Sequence, residues 1–297
     1  MYYTSMPLKK FKCRLCNSEK LDFFLMENNY KLYRCSFCKV VSIYPQPTKI
    51  ELEKFNKNKY NSLQNKKAYF SAKNKLYERA RLDDGFIKKF KPRGILLDVG
   101  CSYGFYLDVF GKSGFQVQGI ELAPIAIKYA RNKLRLNILK GDVMTYKFSK
   151  RYDIITLYEI IEHIPSPNAL FKRIKKLSKS NALLVIQTPN INSVYFKLTG
   201  NKWFWLLVPQ HINLFSVQSL KILLKNHGFQ ILFTRTWDDY DEFVKNILFV
   251  LRLKDKGKSK ILYFLGYKLL WLFSPLSSLW SKFGYGGELT LFAQKIN

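Results

Sequence analysis

ILLDVGCSYGFYLDVFGKSGFQVQGIE, residues 95–121, decides the architecture. An apolar run, Ile95–Leu97, leads into Asp98; a glycine turn follows at Gly100 and Gly104, and a helical pattern sets in at Phe105. A second short strand is predicted over Gln116–Ile120 and ends in Glu121. Strand, glycine loop, helix, strand and acid make one half of a nucleotide-binding α/β domain. Glycine is needed where the backbone comes close to a ligand, because a side chain there would occupy the ligand's volume. An acid at the tip of the second strand can accept the hydroxyls of a ribose. The stretch implies a nucleoside-like cofactor.

The letters of the loop narrow the choice. A dinucleotide fingerprint calls for a third glycine at position 105, where Phe105 stands, and the Lys-Ser/Thr pair of a phosphate-cradling loop is absent. An acid before a turn of the form G-x-G-x-G, with Ser102 in place of the middle glycine, resembles the first motif of class I S-adenosylmethionine-dependent methyltransferases. Later segments resemble the same family in order. Glu121 stands as the ribose acid with Leu122 beside it, and Gly141-Asp142-Val143 as the adenine-contacting segment after a third strand. Tyr152–Tyr158, followed by Glu159, Glu162 and His163, resembles the fourth strand and its exit, and Asn181–Thr188 the fifth. The resemblance implies an α/β fold: a seven-stranded Rossmann-like methyltransferase sheet with helices on both faces. It also implies S-adenosylmethionine as cofactor, with Asp98, Gly100, Ser102, Gly104, Glu121, Leu122, Asp142, Val143 and Tyr158 around it.

A rival fits the same loop. Gly100-Cys101-Ser102-Tyr103-Gly104 matches G-x-S-x-G, the nucleophile elbow of serine hydrolases, with His211 or His227 as base. That elbow follows several earlier strands and an oxyanion loop, whereas the residues before Ile95 offer cysteine pairs and lysine-rich helical sequence.

The chain has 297 residues, room for one large domain and something small, and 47% hydrophobic residues supply a core. Fifty Lys and Arg against 21 Asp and Glu leave a net charge of +29. Such a charge points to nucleic acid, an anionic membrane surface or acidic substrates. The lysines are nevertheless spread along the whole chain, in the company of Asn, Ile, Phe and Tyr that an AT-rich coding sequence produces.

Cys13-x-x-Cys16 and Cys35-x-x-Cys38, eighteen residues apart, have the spacing of a small structural zinc ribbon. Two tight knuckles supply four tetrahedral thiolates, and Leu21–Met26 with Lys31–Arg34 reads as the hairpin joining them. Cys101, in the glycine turn, reads as a small packing residue. Paired cysteines of this form suit a reducing compartment, and MYYTSMPLKKFKC lacks an apolar core of signal-peptide length, so the expectation is a cytoplasmic protein. The expected division is a zinc ribbon over 1–45, a linker and helices over 46–90, the cofactor-binding core over 91–240, and a hydrophobic helical insertion with a final strand over 241–297. Tyr44-Pro45-Gln46-Pro47 reads as an extended linker. In methyltransferases of this kind the helices that follow fold over the cofactor, so that Tyr60 or Tyr69 is placed to cap it.

Methyl transfer to oxygen or carbon needs positioning and a base. One candidate group is Glu159 and His163, four residues apart and expected on one helix face; the run misses the zinc pattern H-x-x-E-H because Glu159 stands at its first position. The other is His211 in Val208–Ser216, which follows an aromatic insertion over Tyr195–Leu207. Ser216 reads as the N-cap of a helix over Val217–Asn226 that Gly228 ends, with His227 a favourable charge at its C-terminus. The Pro-Gln-His segment resembles the lid region of bacterial small-molecule and sugar methyltransferases. This resemblance implies a small-molecule or glycan acceptor: a hydroxyl of a sugar or glycan-lipid precursor of bacterial surface polysaccharide. Leu157-Tyr158-Glu159-Ile160 lacks the Asn-Pro-Pro-Tyr type of run that base-amine methyltransferases carry. RNA as acceptor is the second reading, and a cofactor-binding protein without catalysis the third.

Residues 261–280, ILYFLGYKLLWLFSPLSSLW, carry one charge, Lys268, and follow the basic run 254–260. Pro275, Lys268 and the serines make a poor membrane span, and Glu288–Gln294 reads as a final strand that a span would leave on the wrong side. Two readings stay open: an interfacial helix pair giving peripheral contact through 254–280 at the inner face of the membrane, or a helical lid packed on the protein's own core or a second subunit. The oligomeric state is not written in the sequence.

Overall fold

The computed structural model describes residues 11–48, 50–52, 67, 69–238 and 279–296. Tyr60 and the hydrophobic stretch, apart from Leu279 and Trp280, lie outside the described residues. No helix among the described residues is long and apolar enough to cross a membrane.

A ribbon opens the chain, with β1 (Leu21–Glu27), β2 (Tyr30–Cys35) and β3 (Val41–Ile43) as an antiparallel meander. Then come α1 (Lys73–Phe90), β4 (Ile95–Val99), α2 (Phe105–Lys112), β5 (Gln116–Glu121), α3 (Pro124–Leu134) and β6 (Ile138–Lys140). The second half holds β7 (Tyr152–Tyr158), α4 (Pro167–Leu177), β8 (Ser178–Pro189), α5 (Val194–Thr199), β9 (Asn213–Leu214), α6 (Val217–Asn226), β10 (Phe229–Trp237) and β11 (Glu288–Lys295).

The large sheet has seven strands in the order β10-β11-β8-β7-β4-β5-β6. Strands β4 to β8 run parallel, and β11 lies antiparallel between β8 and β10. The expected Rossmann-like sheet is therefore present. Its two faces follow from alternation along each strand. Leu97, Leu184 and Ile186 pack on one face, while Leu96, Leu183 and Val185 pack on the other. Helix α4 covers the first face because Leu170, Phe171, Ile174 and Leu177 recur at helical spacing and are all buried. Helix α1 turns Ala80, Asp83 and Ile87 inward, with Asp83 in an ion pair to Arg235 of β10.

The ribbon is joined to this body in two ways. Cys13, Leu15, Cys35, Cys38 and Val40 belong to the same apolar cluster as the α4 face. Moreover, β9, from the segment after β8, pairs with β3 and completes the ribbon's four-stranded sheet. Leu32, Val41 and Ile43 of the ribbon share a core with Tyr195, Trp203, Leu206 and Val208 of the aromatic insertion. Tyr44 is accordingly no bare linker residue: it is buried, its ring lies 5.3 Å from that of Phe11, and the Arg14 guanidinium sits 4.5 Å over it. The stretch after β3 packs because its aromatic ring had apolar neighbours to meet.

Candidate functional site

Asp98 near the end of β4 is 3% exposed and accepts a hydrogen bond from Thr156 Oγ1 at 2.7 Å. Burial pushes its carboxyl up to about 7, the Thr156 hydroxyl holds it back, and the charge of Glu121 adds to the rise. The same cause pushes buried Asp83 up to about 6, against the pull of Arg235. An unfolded aspartate ionises near 3.8, so over this window the native state holds protons that the unfolded chain has released. Unfolding free energy is thus expected to fall as pH rises from about 4 to about 7. Asp98→Asn removes part of that slope in urea melts across the window; an unaltered slope would exclude Asp98 as its source.

After Asp98 the backbone turns through left-handed conformations at Gly100 (φ 71°), Ser102 (φ 49°) and Gly104 (φ 82°), and α2 starts at Phe105. A Cβ on Gly100 would stand 2.1 Å from Ile160 Cδ1, so the exit of β7 is packed onto the glycine turn. Cys101 is buried beneath Gly119, with burial lifting its thiol well above the usual range, as fits a packing role. Tyr69 lies over the turn, its ring 5.1 Å from that of Tyr103 and 5.4 Å from that of Phe105.

Glu121 ends β5 and is organised by backbone amides. Oε1 accepts from the N–H groups of Leu122 (2.7 Å) and Ala123 (2.8 Å), and Oε2 from Ser102 (2.8 Å). A carboxylate offers about four acceptor directions, so one remains, on Oε2. Leu122 beside it has an exposed side chain. Across the cleft end, Gly141 N–H donates to Glu121 O at 3.0 Å, Asp142 Oδ1 accepts from Met144 N–H at 2.9 Å, and Val143 is buried. Tyr158 at the end of β7 lies against Tyr106, ring centroids 4.3 Å apart. The structure therefore brings the nine expected cofactor residues to the carboxyl ends of β4, β5, β6 and β7.

The second half of the site hangs from β7 and β8. Glu159 has φ 53°, and the turn that follows is a short 3-10 helix, Ile161–His163. Glu159 and His163 consequently do not share an α-helix face: the strand exits through a left-handed residue into a tight turn. His163 Nδ1 lies 2.9 Å from Gln210 O, and His211 Nδ1 lies 2.8 Å from Trp205 O. A carbonyl can only accept, so each Nδ1 carries the proton and each Nε2 is the basic nitrogen. The two rings are 4.9 Å apart, edge to face, and His211 is 2% exposed. Glu162 is fully buried, accepts from Thr188 Oγ1 at 2.9 Å, and has its carboxyl raised by burial. Glu162, His163 and His211 each place one ligand-type atom within 4.8 Å of the others, a grouping able to share a proton or a cation. Sequence reading joined neither Glu162 nor Thr188 to this pair, because His211 reaches it only through the turn that follows β8.

Sequence reading also passed over Gln187 and Glu288. Gln187 Nε2 donates to Glu288 Oε2 at 2.8 Å and approaches Glu159 Oε1 at 3.4 Å, while Arg79 Nη1 lies 3.3 Å from Glu288 Oε1. The signal was a polar residue at the end of an otherwise apolar buried strand, LLVIQTP or ELTLFA. His227 is placed elsewhere: Nε2 lies 2.9 Å from Asn168 Oδ1, and burial with Lys172 and Lys175 pushes its pKa below the ordinary value. It therefore contributes less positive charge at the end of α6 than expected. The capping box of Ser216 and Ser219 at the start of that helix is present.

In the ribbon, Cys13 Sγ lies 3.4 Å from Cys38 Sγ and Cys16 Sγ 3.5 Å from Cys35 Sγ, all four within 4.8 Å of one another. Tetrahedral zinc–sulfur bonds of about 2.3 Å set sulfur–sulfur distances of about 3.8 Å, close to this arrangement. The Cys38 thiol holds Cys13 down to about 5, whereas burial lifts Cys16 to about 11. Four such thiols ionise together only around a cation.

The nucleophile-elbow reading fails on topology. Among the described residues β4 is the first strand of the large sheet, preceded by the ribbon and by helical residues, and the Ser102 amide is committed to Glu121. Known proteins agree with the geometry. A ubiquinone biosynthesis O-methyltransferase of Coxiella burnetii is 30% identical over 123 residues, 39% of this chain and 53% of that protein. Its counterpart in Pelagibacter ubique is 29% identical over 147 residues, 44% of this chain and 61% of the relative. The chain thus matches somewhat more than half the length of these relatives. A solved S-adenosylmethionine-dependent methyltransferase of Thermotoga maritima superposes with a TM-score of 0.52 over 80% of this chain and 97% of its own, at 14% identity, a likeness of fold. Residues 67–233, more than half of the chain, match the family model described as a methyltransferase domain, and the protein belongs to that family.

Proposed function

We propose that the protein methylates a hydroxyl of a sugar or glycan-lipid precursor in bacterial surface polysaccharide synthesis, with His211 as the base. The observation that supports this most is the histidine pair, whose Nε2 atoms are the basic nitrogens and whose supporting turn is packed through Ile160 onto the glycine loop. S-adenosylmethionine, when bound, supplies a methyl group on a positively charged sulfur. Asp98, Gly100, Ser102, Gly104, Leu122 and Tyr158 would shape its cradle, Asp142 and Val143 would serve the adenine, and Glu121 Oε2 would accept a ribose hydroxyl. His211 Nε2 would take the proton from the acceptor hydroxyl, and His163 and Glu159 would line the acceptor side. Gln187, Glu288 and Arg79 form a buried polar group beside Glu159 at the ends of β8 and β11. The O-methyltransferase names of the relatives favour oxygen as acceptor atom. Zinc is the metal that best suits the four ribbon cysteines, and a reducing cytoplasm keeps such thiols available to it.

The test is transfer of isotopically labelled methyl to a panel of nucleotide-activated sugars, lipid-linked glycans and total RNA. Label on a sugar hydroxyl supports the reading; label in RNA replaces it. The cofactor half is tested separately. Glu121→Gln keeps size but places an amide N–H against one of three backbone N–H groups, so affinity for S-adenosylhomocysteine is expected to fall about 100-fold, or roughly 3 kcal/mol. Calorimetry showing equal affinity would remove Glu121 from the site.

A further inference from the structure

The ribbon lies against the histidine pair rather than apart from it. Cys38 is three residues before β3, and β3 pairs with β9 in the register Val41 to Leu214 and Ser42 to Asn213. One position further, Ile43 N–H donates to Ile212 O at 3.0 Å, and Ile212 N–H in turn donates to Glu162 O at 2.8 Å. Two side chains repeat that path in parallel. Ser42 Oγ donates to Asn213 Oδ1 at 2.7 Å, and Asn213 Nδ2 donates to Ile164 O at 2.8 Å. Ser42 is 1% exposed and Asn213 0%. Asn28, in the β1–β2 turn, holds the other end of the segment through Val208 O at 2.9 Å.

The segment gripped in this way, 208–214, carries His211, and the turn on its far side, 161–164, carries His163. β9 has only two residues and makes a strand solely by borrowing β3. Beyond the apolar contacts of Val41 and Ile43 with the aromatic insertion, metal at the four cysteines would fix the end of β2 and the turn that leads into β3. The cofactor loop and Glu121 depend on β4 and β5, on the opposite side of β7 from β8 and its following segment.

We infer that the cysteine ribbon is a positioning element for the histidine pair. Metal at Cys13, Cys16, Cys35 and Cys38 orders β3, and β3 sets the placement of His211 against His163 through Ser42 and Asn213. The metal then governs methyl transfer without touching cofactor or acceptor. This rests on the reading of His211 as base and of the cysteines as a zinc site, and it adds a role for Ser42 and Asn213 as positioning residues.

The chain contains three histidines, so their ring-proton resonances can be followed one by one in the full-length protein. Two perturbations are compared, removal of zinc by chelation and Asn213→Ala with zinc retained. Each sample is also titrated with S-adenosylhomocysteine. Chelation is expected to shift the His163 and His211 resonances toward those of free imidazole and to leave cofactor affinity unchanged. Asn213→Ala is expected to shift the same two resonances, leave His227 in place, retain zinc, and lower kcat with little change in the KM for the cofactor. Histidine resonances unmoved by both perturbations would overturn the inference. So would loss of cofactor binding together with zinc, since the ribbon would then support the whole fold. The Asn213→Ala arm decides the coupling whatever metal the cysteines hold. Failure of zinc-loaded wild-type protein to bind S-adenosylhomocysteine would instead count against the proposed cofactor site.

Discussion

Replacing His211 by asparagine is expected to lower methyl transfer to a hydroxyl acceptor by about 10²–10⁴-fold, the usual contribution of a positioned general base. Cofactor affinity should not change. The substitution is chosen for what it preserves. His211 Nδ1 meets Trp205 O at 2.8 Å in a site 2% exposed, and an asparagine amide, whose Nδ2 overlies Nδ1, can still donate to that carbonyl. Packing against His163 survives in outline, while the basic nitrogen is lost. Alanine would also remove the donor to Trp205 O and leave a cavity, mixing a folding defect with a chemical one. Rates on the acceptor found by the labelling screen, measured beside calorimetry, separate the two effects. An asparagine variant with full activity would make His211 a structural residue and shift the search for a base to His163 or Glu159.

Gly100→Ala is expected to destabilise the fold by about 2–4 kcal/mol and to abolish cofactor binding. Two costs add. Overpacking contributes about 1–3 kcal/mol, because the new Cβ would lie 2.1 Å from Ile160 Cδ1 and 3.1 Å from Cγ1. The left-handed backbone at φ 71° adds about 1 kcal/mol for any residue with a Cβ. Ile160→Val removes Cδ1, so the double substitution should recover the overpacking part and keep the conformational part, a non-additivity that chemical denaturation can read. If the double variant is no more stable than Gly100→Ala alone, the glycine is needed for its conformation and not for the approach of Ile160. Binding lost in both variants would show that the turn must keep its shape to receive the cofactor.

The strands and helices of the large sheet were legible wherever one local rule dominated. An apolar run marked β4, Ser216 and Gly228 bounded α6, and the loop from Asp98 to Gly104 announced a tight turn by residue type and spacing. The paired cysteines announced four thiolates in one place. These signals are local: periodicity, capping and turn conformation depend on neighbours a few residues away.

What the sequence withheld was every relation that closes over a long stretch of chain. Glu159 looked helical with His163, yet its backbone is left-handed, because the end of a buried parallel strand must turn sharply before α4 can start. The proline-bearing stretch after Ile43 looked like a linker, yet Tyr44 is buried against Phe11 and beneath Arg14. Gln187 and Glu288 are 101 residues apart and meet only because β11 inserts between β8 and β10. By itself, then, the sequence determined the glycine turn with its flanking acids, the thiolate cluster and the class of fold, since each is encoded in short patterns. The tertiary structure alone decided that the ribbon shares a sheet with the segment carrying His211 and that His211 meets His163 and Glu162. Those contacts depend on how distant segments share one core, and no local pattern specifies that.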